Sequence, residues 1–177
     1  MKYLVPPHPR DKFHRDTPPF MKHYIKLLRP KDWIKNLFLF VPSFFAGKFF
    51  DLHGLLLLAG GFFTFCFLAS SIYIINDYRD IEDDRRHPEK SKRPLAAGLV
   101  NKQSAIYISV VLFLAGVVTA YLLDGTGKFL FIAGLYYILN ISYSFGLKNR
   151  SILDILIVAA GFVLRVKGGA ILAAVDT

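Results

Sequence analysis

Apolar residues in this chain fall in five blocks, near 33–50, 54–75, 103–123, 128–145 and 151–175, parted by polar stretches. Each block is about long enough to cross a hydrocarbon core of roughly 30 Å at about 1.5 Å of rise per residue. In lipid the backbone must satisfy its own hydrogen bonds, so the pattern predicts an all-α, multi-span transmembrane helix bundle. The second and third blocks are uninterrupted. The first contains Pro42 and Lys48, and the fifth contains Arg165 and Lys167. Only about thirteen residues, Ile152 to Leu164, precede Arg165, short of the roughly 20 of a clean span. Five spans are therefore expected to leave Arg165 and Lys167 without an enclosing partner. Ahead of the blocks, "MKYLVPPHPRDKFHRDTPPF" has prolines and charges but no apolar core of a signal peptide. It predicts a mobile cytosolic tail over residues 1–28 and a transmembrane domain over 29–177.

Charge adds a direction. The 177 residues are 54% hydrophobic and carry a formal net charge of +9. Nine Lys or Arg lie in residues 1–35 and seven in residues 76–102, whereas "KFFDLHG" and "LDGTGK" hold one Lys each. The positive-inside rule then places the N-terminus and the 76–102 loop in the cytosol of a plasma-membrane protein, and the short loops outside. The basic charge is accounted for by topology and needs no nucleic-acid partner. Cys66 is the single cysteine, so no internal disulfide forms, and it reads as a small apolar residue.

Chemistry concentrates in "NDYRDIEDDRRHPEKSKRPLAAG", Asn76 to Gly98, with six acids and six bases directly after the second block. If that block continues as a helix, Asp77, Asp80 and Asp84 fall within about 60° of one another, with Tyr73 deeper on the same face. Asp83 flanks the group and Glu82 points elsewhere. Three carboxylates at this spacing repel unless a cation sits between them. Mg²⁺, which binds one or two carboxylates together with substrate phosphates, suits the pattern. The basic run Arg85, Arg86, Lys90, Lys92 and Arg93 suits a polyanion. The plainer alternative is a solvated loop whose charges pair among themselves. His87 reads as a turn residue before Pro88. In "RPKDWIKN", Lys35 and Asn36 sit just inside the first block, and Trp33 reads as an interface anchor. Asp154 and Arg165, eleven residues apart, share a face of the fifth block, where charge points to a polar cavity.

These residues together resemble the UbiA-type intramembrane prenyltransferase superfamily. Its first acidic motif has the form N-D-x-x-D-x-x-x-D, here "NDYRDIEDD", Asn76 to Asp84. "RPKDWIKN", "DRRHPEKSKRPLAAG" and "YSFGLKNRSILDILIVAAGFVLR" are similar to the branch that phosphoribosylates decaprenyl phosphate, and the match runs from about Arg29 to Ala170. The resemblance implies a UbiA-like domain over 29–177 whose cytosol-facing cavity binds Mg²⁺ through Asp77, Asp80 and Asp84, with Asn76 supporting. Lys35, Asn36, Arg93, Tyr143, Lys148, Asp154 and Arg165 would bind substrate. The implied reaction moves 5-phosphoribose from phosphoribosyl diphosphate to a polyprenyl phosphate in the bilayer, toward a cell-wall arabinan precursor. Members usually have nine spans and a second acidic motif. The five spans here are expected to form the N-terminal half and not to carry transfer alone. Two alternatives stand beside this: prenyl transfer from a polyprenyl diphosphate to an aromatic acceptor, and a non-catalytic membrane fragment.

Overall fold

A computed structural model of the chain describes residues 19–48, 51–147 and 151–174. Helix α1 spans Pro19–Leu27 and is followed by a 3-10 segment, Pro30–Phe40, and a short helix α2, Val41–Phe45. The long helix α3, Leu52–Arg79, then leads into α4, Ile81–Arg86, and a single 3-10 turn, Lys90–Lys92. Helices α5 (Lys102–Leu123), α6 (Lys128–Ser142) and α7 (Ser151–Leu172) complete the bundle, with a π-helical turn, Tyr143–Leu147, ending α6. Among the described residues the structure is helical throughout, and four helices are long and apolar enough to cross a membrane.

The first predicted span takes a different form. Eleven residues of 3-10 helix and five of α-helix replace one regular span. At about 2.0 Å and 1.5 Å of rise per residue they still reach roughly 30 Å. Pro42 sits at the start of α2, where its missing N–H costs no helical bond. The expected mobile tail also has structure at its end. Helix α1 occupies Pro19–Leu27, and Leu27 is fully buried with Ile74, Ile81, Leu95, Val100 and Ala105. Residues 1–18 lie outside the described residues.

Packing follows small and polar residues, as it must where lipid removes the hydrophobic drive between helices. A side chain at Gly116 would collide with Leu68, and one at Gly60 with Leu123, so α3 and α5 approach closely. Across the same interface Thr64 donates to Thr119 at 2.9 Å, and the Ser71 and Ser109 hydroxyls are 3.0 Å apart. A Cβ on Gly169 of α7 would fall on the backbone carbonyl of Leu39, which lets the 3-10 segment lie directly on α7. The main core lies among these helices and includes Leu39, Phe65, Phe129, Tyr136 and Leu164.

At the far end of the bundle, Asp124 closes the α5–α6 turn. Its carboxylate accepts from the Phe129 amide at 2.8 Å and from the Thr126 hydroxyl at 2.7 Å, while Gly127 takes the left-handed conformation with φ of 77°. Partial burial opposes the charge on Asp124, but these hydrogen bonds outweigh it and hold the carboxyl below its usual pKa.

Candidate active site

The polar residues of the half that holds Asp77 form a ladder between α3 and the 3-10 segment. On α3, Asp77, Tyr73, Ser70 and Cys66 lie on one face by helical spacing. On the 3-10 segment, every third residue eclipses, so Trp33, Asn36 and Leu39 share a face. The rungs pair these two stripes. The Trp33 indole N–H donates to Ser70 at 3.1 Å, and the Asn36 amide donates to the Cys66 sulfur at 3.2 Å. Trp33 thus joins the helix interface instead of acting as a free anchor. The Arg29 guanidinium lies 5.0 Å from the Tyr73 ring centroid.

At the top of the ladder, Arg29 Nη2 meets Asp77 Oδ1 at 2.5 Å. Arg29 adopts the left-handed conformation, with φ of 53°, at the start of the 3-10 segment. Non-glycine residues rarely take this conformation, and such positions concentrate at functional sites. Arg93 completes the group. Its Nη1 is 3.1 Å from Asp77 Oδ1 and 2.7 Å from Asp84 Oδ2. Both carboxylates are 2% exposed, so the single guanidinium nitrogen sits where two buried negative charges meet. Arg93 is carried there by the loop after α4, which folds back on α3 and buries Leu95 and Ala96. Arg85 Nε ties that loop down through the Ala96 carbonyl at 3.1 Å, and His87 Nδ1 accepts from the amides of Glu89 and Lys90, as a turn residue does.

The helix does not run on unbroken through the motif. It ends at Arg79, Asp80 has ψ of 10°, and α4 restarts at Ile81. Asp80 stands half-buried at that junction, and Glu82 is exposed and paired with Arg85 at 2.9 Å. Among the described residues no three Asp, Glu, His or Cys side chains converge to hold a metal ion. The pair Asp77 and Asp84 meets a looser requirement, because Mg²⁺ commonly takes one or two carboxylates and draws its other oxygens from phosphate and water. Asn76 Oδ1, in the residue before Asp77, is a buried oxygen with no hydrogen-bond partner. Two oxygen-donor carboxylates and an unsatisfied amide oxygen fit a hard divalent cation.

The other predicted site residues divide into groups. Arg165 and Asn36 come together deeper in the bundle, and Arg165 is 5% exposed. Its Nε donates to Asn36 Oδ1 at 2.8 Å, its Nη1 to the Gly161 carbonyl at 2.8 Å and its Nη2 to the Tyr136 hydroxyl at 3.0 Å. The expectation that Arg165 lacks an enclosing partner is therefore corrected: the 3-10 segment and α6 enclose it. Lys167 is exposed and lines a cavity of about 440 Å³ near Thr126 and Lys128, at the opposite end from Asp77. Lys35 is exposed and paired with Asp32 at 3.2 Å. Tyr143 opens the π-turn, whose Ser144 carbonyl accepts from Arg79. Lys148 and the side chain of Asp154 lie outside the described residues.

A cavity of about 470 Å³ opens beside Asp77, lined also by Lys22, Ile25, Lys26, Arg29, Pro30, Lys31, Asp32 and Pro94. Sequence reasoning gives no role to Arg29 or to the α1 lysines. The available signal for the lysines was the i, i+3, i+4 spacing of residues 22, 25 and 26, a single helix face.

Residues 37–177 match the model of the UbiA prenyltransferase family. The chain is 36% identical over 154 residues to a decaprenyl-phosphate phosphoribosyltransferase of Corynebacterium glutamicum, covering 86% of this chain and 46% of that one. It is 39% identical over 153 residues to the protein of that name from Mycolicibacterium smegmatis, covering 84% and 48%. The chain spans about half the length of the curated relatives it matches. A solved structure described as bearing on digeranylgeranylglyceryl phosphate synthase in membranes has the same fold, with a TM-score of 0.73 and 24% identity over 86% of this chain and 53% of that one.

Proposed function

This chain belongs to the UbiA prenyltransferase family, and from that premise we propose that it serves transfer of 5-phosphoribose from phosphoribosyl diphosphate to a polyprenyl phosphate, of decaprenyl length, toward a cell-wall arabinan precursor. The observation that carries the reading is the cluster of Asp77, Asp84, Arg29 and Arg93 at the end of an apolar helix long enough to span a membrane, with a cavity opening beside Asp77 and Arg29. The names of the two relatives support the choice of substrates.

In this reading Asp77 and Asp84 hold Mg²⁺, with Asp80 and Asn76 beside them. The metal, when bound, neutralises charge on the diphosphate. Arg29 and Arg93 donate to the phosphate oxygens and stabilise the leaving group in a site shielded from bulk water. The C1–O bond of the donor breaks, with its electron pair leaving on diphosphate. A phosphate oxygen of the acceptor forms the new bond to C1. That oxygen is already ionised, so no general base is required. The Arg165–Asn36–Tyr136 network holds the 3-10 segment in register and so positions Trp33, Lys35 and Arg29. Tyr143, Lys148 and Asp154 are assigned to substrate binding by their match to the family pattern.

The test is transfer of labelled phosphoribose to a polyprenyl phosphate, with Mg²⁺, by the full-length protein in nanodiscs. Asp77→Asn and Asp84→Asn should each reduce turnover by at least about 100-fold, the scale lost with a key electrostatic group, with little loss of folded protein. Glu82→Gln should stay within about threefold, the scale of an exposed ion pair. Turnover of a polyprenyl diphosphate with an aromatic acceptor, and none with phosphoribosyl diphosphate, would move the assignment to prenyl transfer.

A further inference from the structure

The cavity beside Asp77 holds more cations than its carboxylates neutralise. Arg29 lines it with Asp77, and α1 and the first turn of the 3-10 segment contribute Lys22, Lys26 and Lys31. Four cationic side chains line the cavity against two carboxylates, and both carboxylates already have partners: Asp77 with Arg29 and Arg93, Asp32 with Lys35. The Lys26 amine donates to the Lys92 carbonyl at 2.8 Å, whereas the Lys22 and Lys31 side chains make no hydrogen bond or ion pair among the described residues. Among the described residues, amines without a counter-charge therefore line the cavity.

Helix α1 presents two of them. Residues 22, 25 and 26 follow the i, i+3, i+4 rule and all line the cavity, and Lys31 joins them from the first turn of the 3-10 segment. Leu27, on the other side of the helix, is buried with Leu95, Val100 and Ala105 and fixes α1 in place. Lys22 and Lys26 are thus held on an anchored element.

A ligand matched to this cavity carries more than one anionic group, to meet the lysines as well as Arg29. A prenyl diphosphate has one such group, and its hydrocarbon would leave the lysines facing apolar atoms. A phosphorylated sugar diphosphate has two. We infer that Lys22, Lys26 and Lys31 form a subsite for a phosphate monoester, the 5-phosphate of the sugar donor, and that this subsite selects such a donor over a prenyl diphosphate. The inference rests on the function proposed above. Lysine binds a phosphate dianion as a point charge, and the cavity volume lies within the roughly 300–1,000 Å³ usual for small-molecule sites.

The test compares wild type with the Lys22→Ala, Lys31→Ala double variant, both full-length in zwitterionic nanodiscs, by calorimetric titration with Mg²⁺ present. The ligands are phosphoribosyl diphosphate, ribose 5-phosphate, inorganic diphosphate and a prenyl diphosphate. The double variant should bind the first two about tenfold more weakly, and the last two within about twofold of wild type. Restoring charge with Lys22→Arg and Lys31→Arg should recover most of the loss, which separates charge from folding. Equal losses for all four ligands, or none, would overturn the subsite. In a parallel binding measurement with polyprenyl phosphate placed in the nanodisc, a loss confined to that lipid would assign the lysines to a lipid phosphate and overturn the donor assignment. Wild type that binds the prenyl diphosphate and not phosphoribosyl diphosphate would instead overturn the proposed function. Wild type that prefers phosphoribosyl diphosphate, with a double variant that binds it equally well, would overturn the subsite alone.

Discussion

One nitrogen of Arg93 touches two carboxylates that burial would otherwise set against each other. Asp77 retains Arg29 as a second cation, but Asp84 is paired with Arg93 alone among the described residues. Arg93→Ala should therefore destabilise the protein. Removing one partner of a buried ion pair costs about 3–5 kcal/mol, and partial exposure of Arg93 lowers the expectation to roughly 2–3 kcal/mol. Asp84→Asn in the Arg93→Ala background should recover part of this, because the unpaired charge is gone. Chemical denaturation in detergent without divalent cations is the measurement. A loss under roughly 0.5 kcal/mol, the scale of a surface pair, would show that Arg93 does not carry these charges. At this scale the nearness of Asp77 and Asp84 was legible in their spacing, although they meet at Arg93 across the break between α3 and α4 and not on one continuous helix face. The bridge was not, because Arg93 reaches them only through the fold-back of residues 87–100. Nor was Arg29, whose role depends on a left-handed residue ahead of Pro30, a conformation no spacing rule anticipates.

Elements were legible in proportion to their apolar length. Helices α3 and α5 follow from uninterrupted runs, and α6 and α7 from long apolar blocks, because lipid allows such segments no other regular state. The 3-10 segment did not follow. Its form depends on contact with two neighbours, through the rungs to Ser70 and Cys66 on one side and the approach of Leu39 to Gly169 on the other. Helix α1 is too short to announce itself against prolines and charges, and it is held by Leu27, fully buried, with Tyr24 packed on the same cluster. The turn into α6 offers a test at this scale. Asp124 supplies the acceptor for the Phe129 amide that the start of the helix cannot satisfy internally. Asp124→Asn keeps the shape and removes the charge, and it should cost up to about 1 kcal/mol at neutral pH. The folded carboxyl has a pKa below its unfolded value. Its charge-dependent stabilisation is therefore fully present above the ordinary carboxylate pKa of about 3.9 and is lost as pH falls through the lower, folded value. The gap between wild type and Asp124→Asn should narrow on acidification. A gap that widens at low pH would contradict the hydrogen-bonded carboxylate.

The bundle has two chemically different ends, and their assignment decides how a soluble donor reaches the site. At one end stand Asp77, Arg29, Arg93 and the π-turn tied by Arg79 to the Ser144 carbonyl. At the other, Lys48 donates to the Ala174 carbonyl at 2.7 Å, and Thr126, Lys128 and Lys167 line the second cavity. The alternation of helix directions that the apolar blocks predict is what separates these groups. The loop from 76 to 102 carries seven Lys or Arg and the 124–128 turn only one. By the positive-inside rule the Asp77 end is expected to face the cytosol, where the proposed sugar diphosphate would be met in water, while the apolar flanks would keep a polyprenyl chain in hydrocarbon. Reversing the molecule would leave the cationic cavity open to the outside and cut off from that donor. We therefore expect cysteines placed by Ser91→Cys and Thr126→Cys, each with Cys66→Ala, to differ in access to a membrane-impermeant maleimide. Thr126→Cys should label in intact cells, and Ser91→Cys only after permeabilisation. Both positions lie in polar turns outside the long helices, so neither change disturbs packing between spans. Labelling of Ser91→Cys from outside intact cells would reverse the orientation, and with it the route by which any water-soluble phosphate ester could enter beside Asp77.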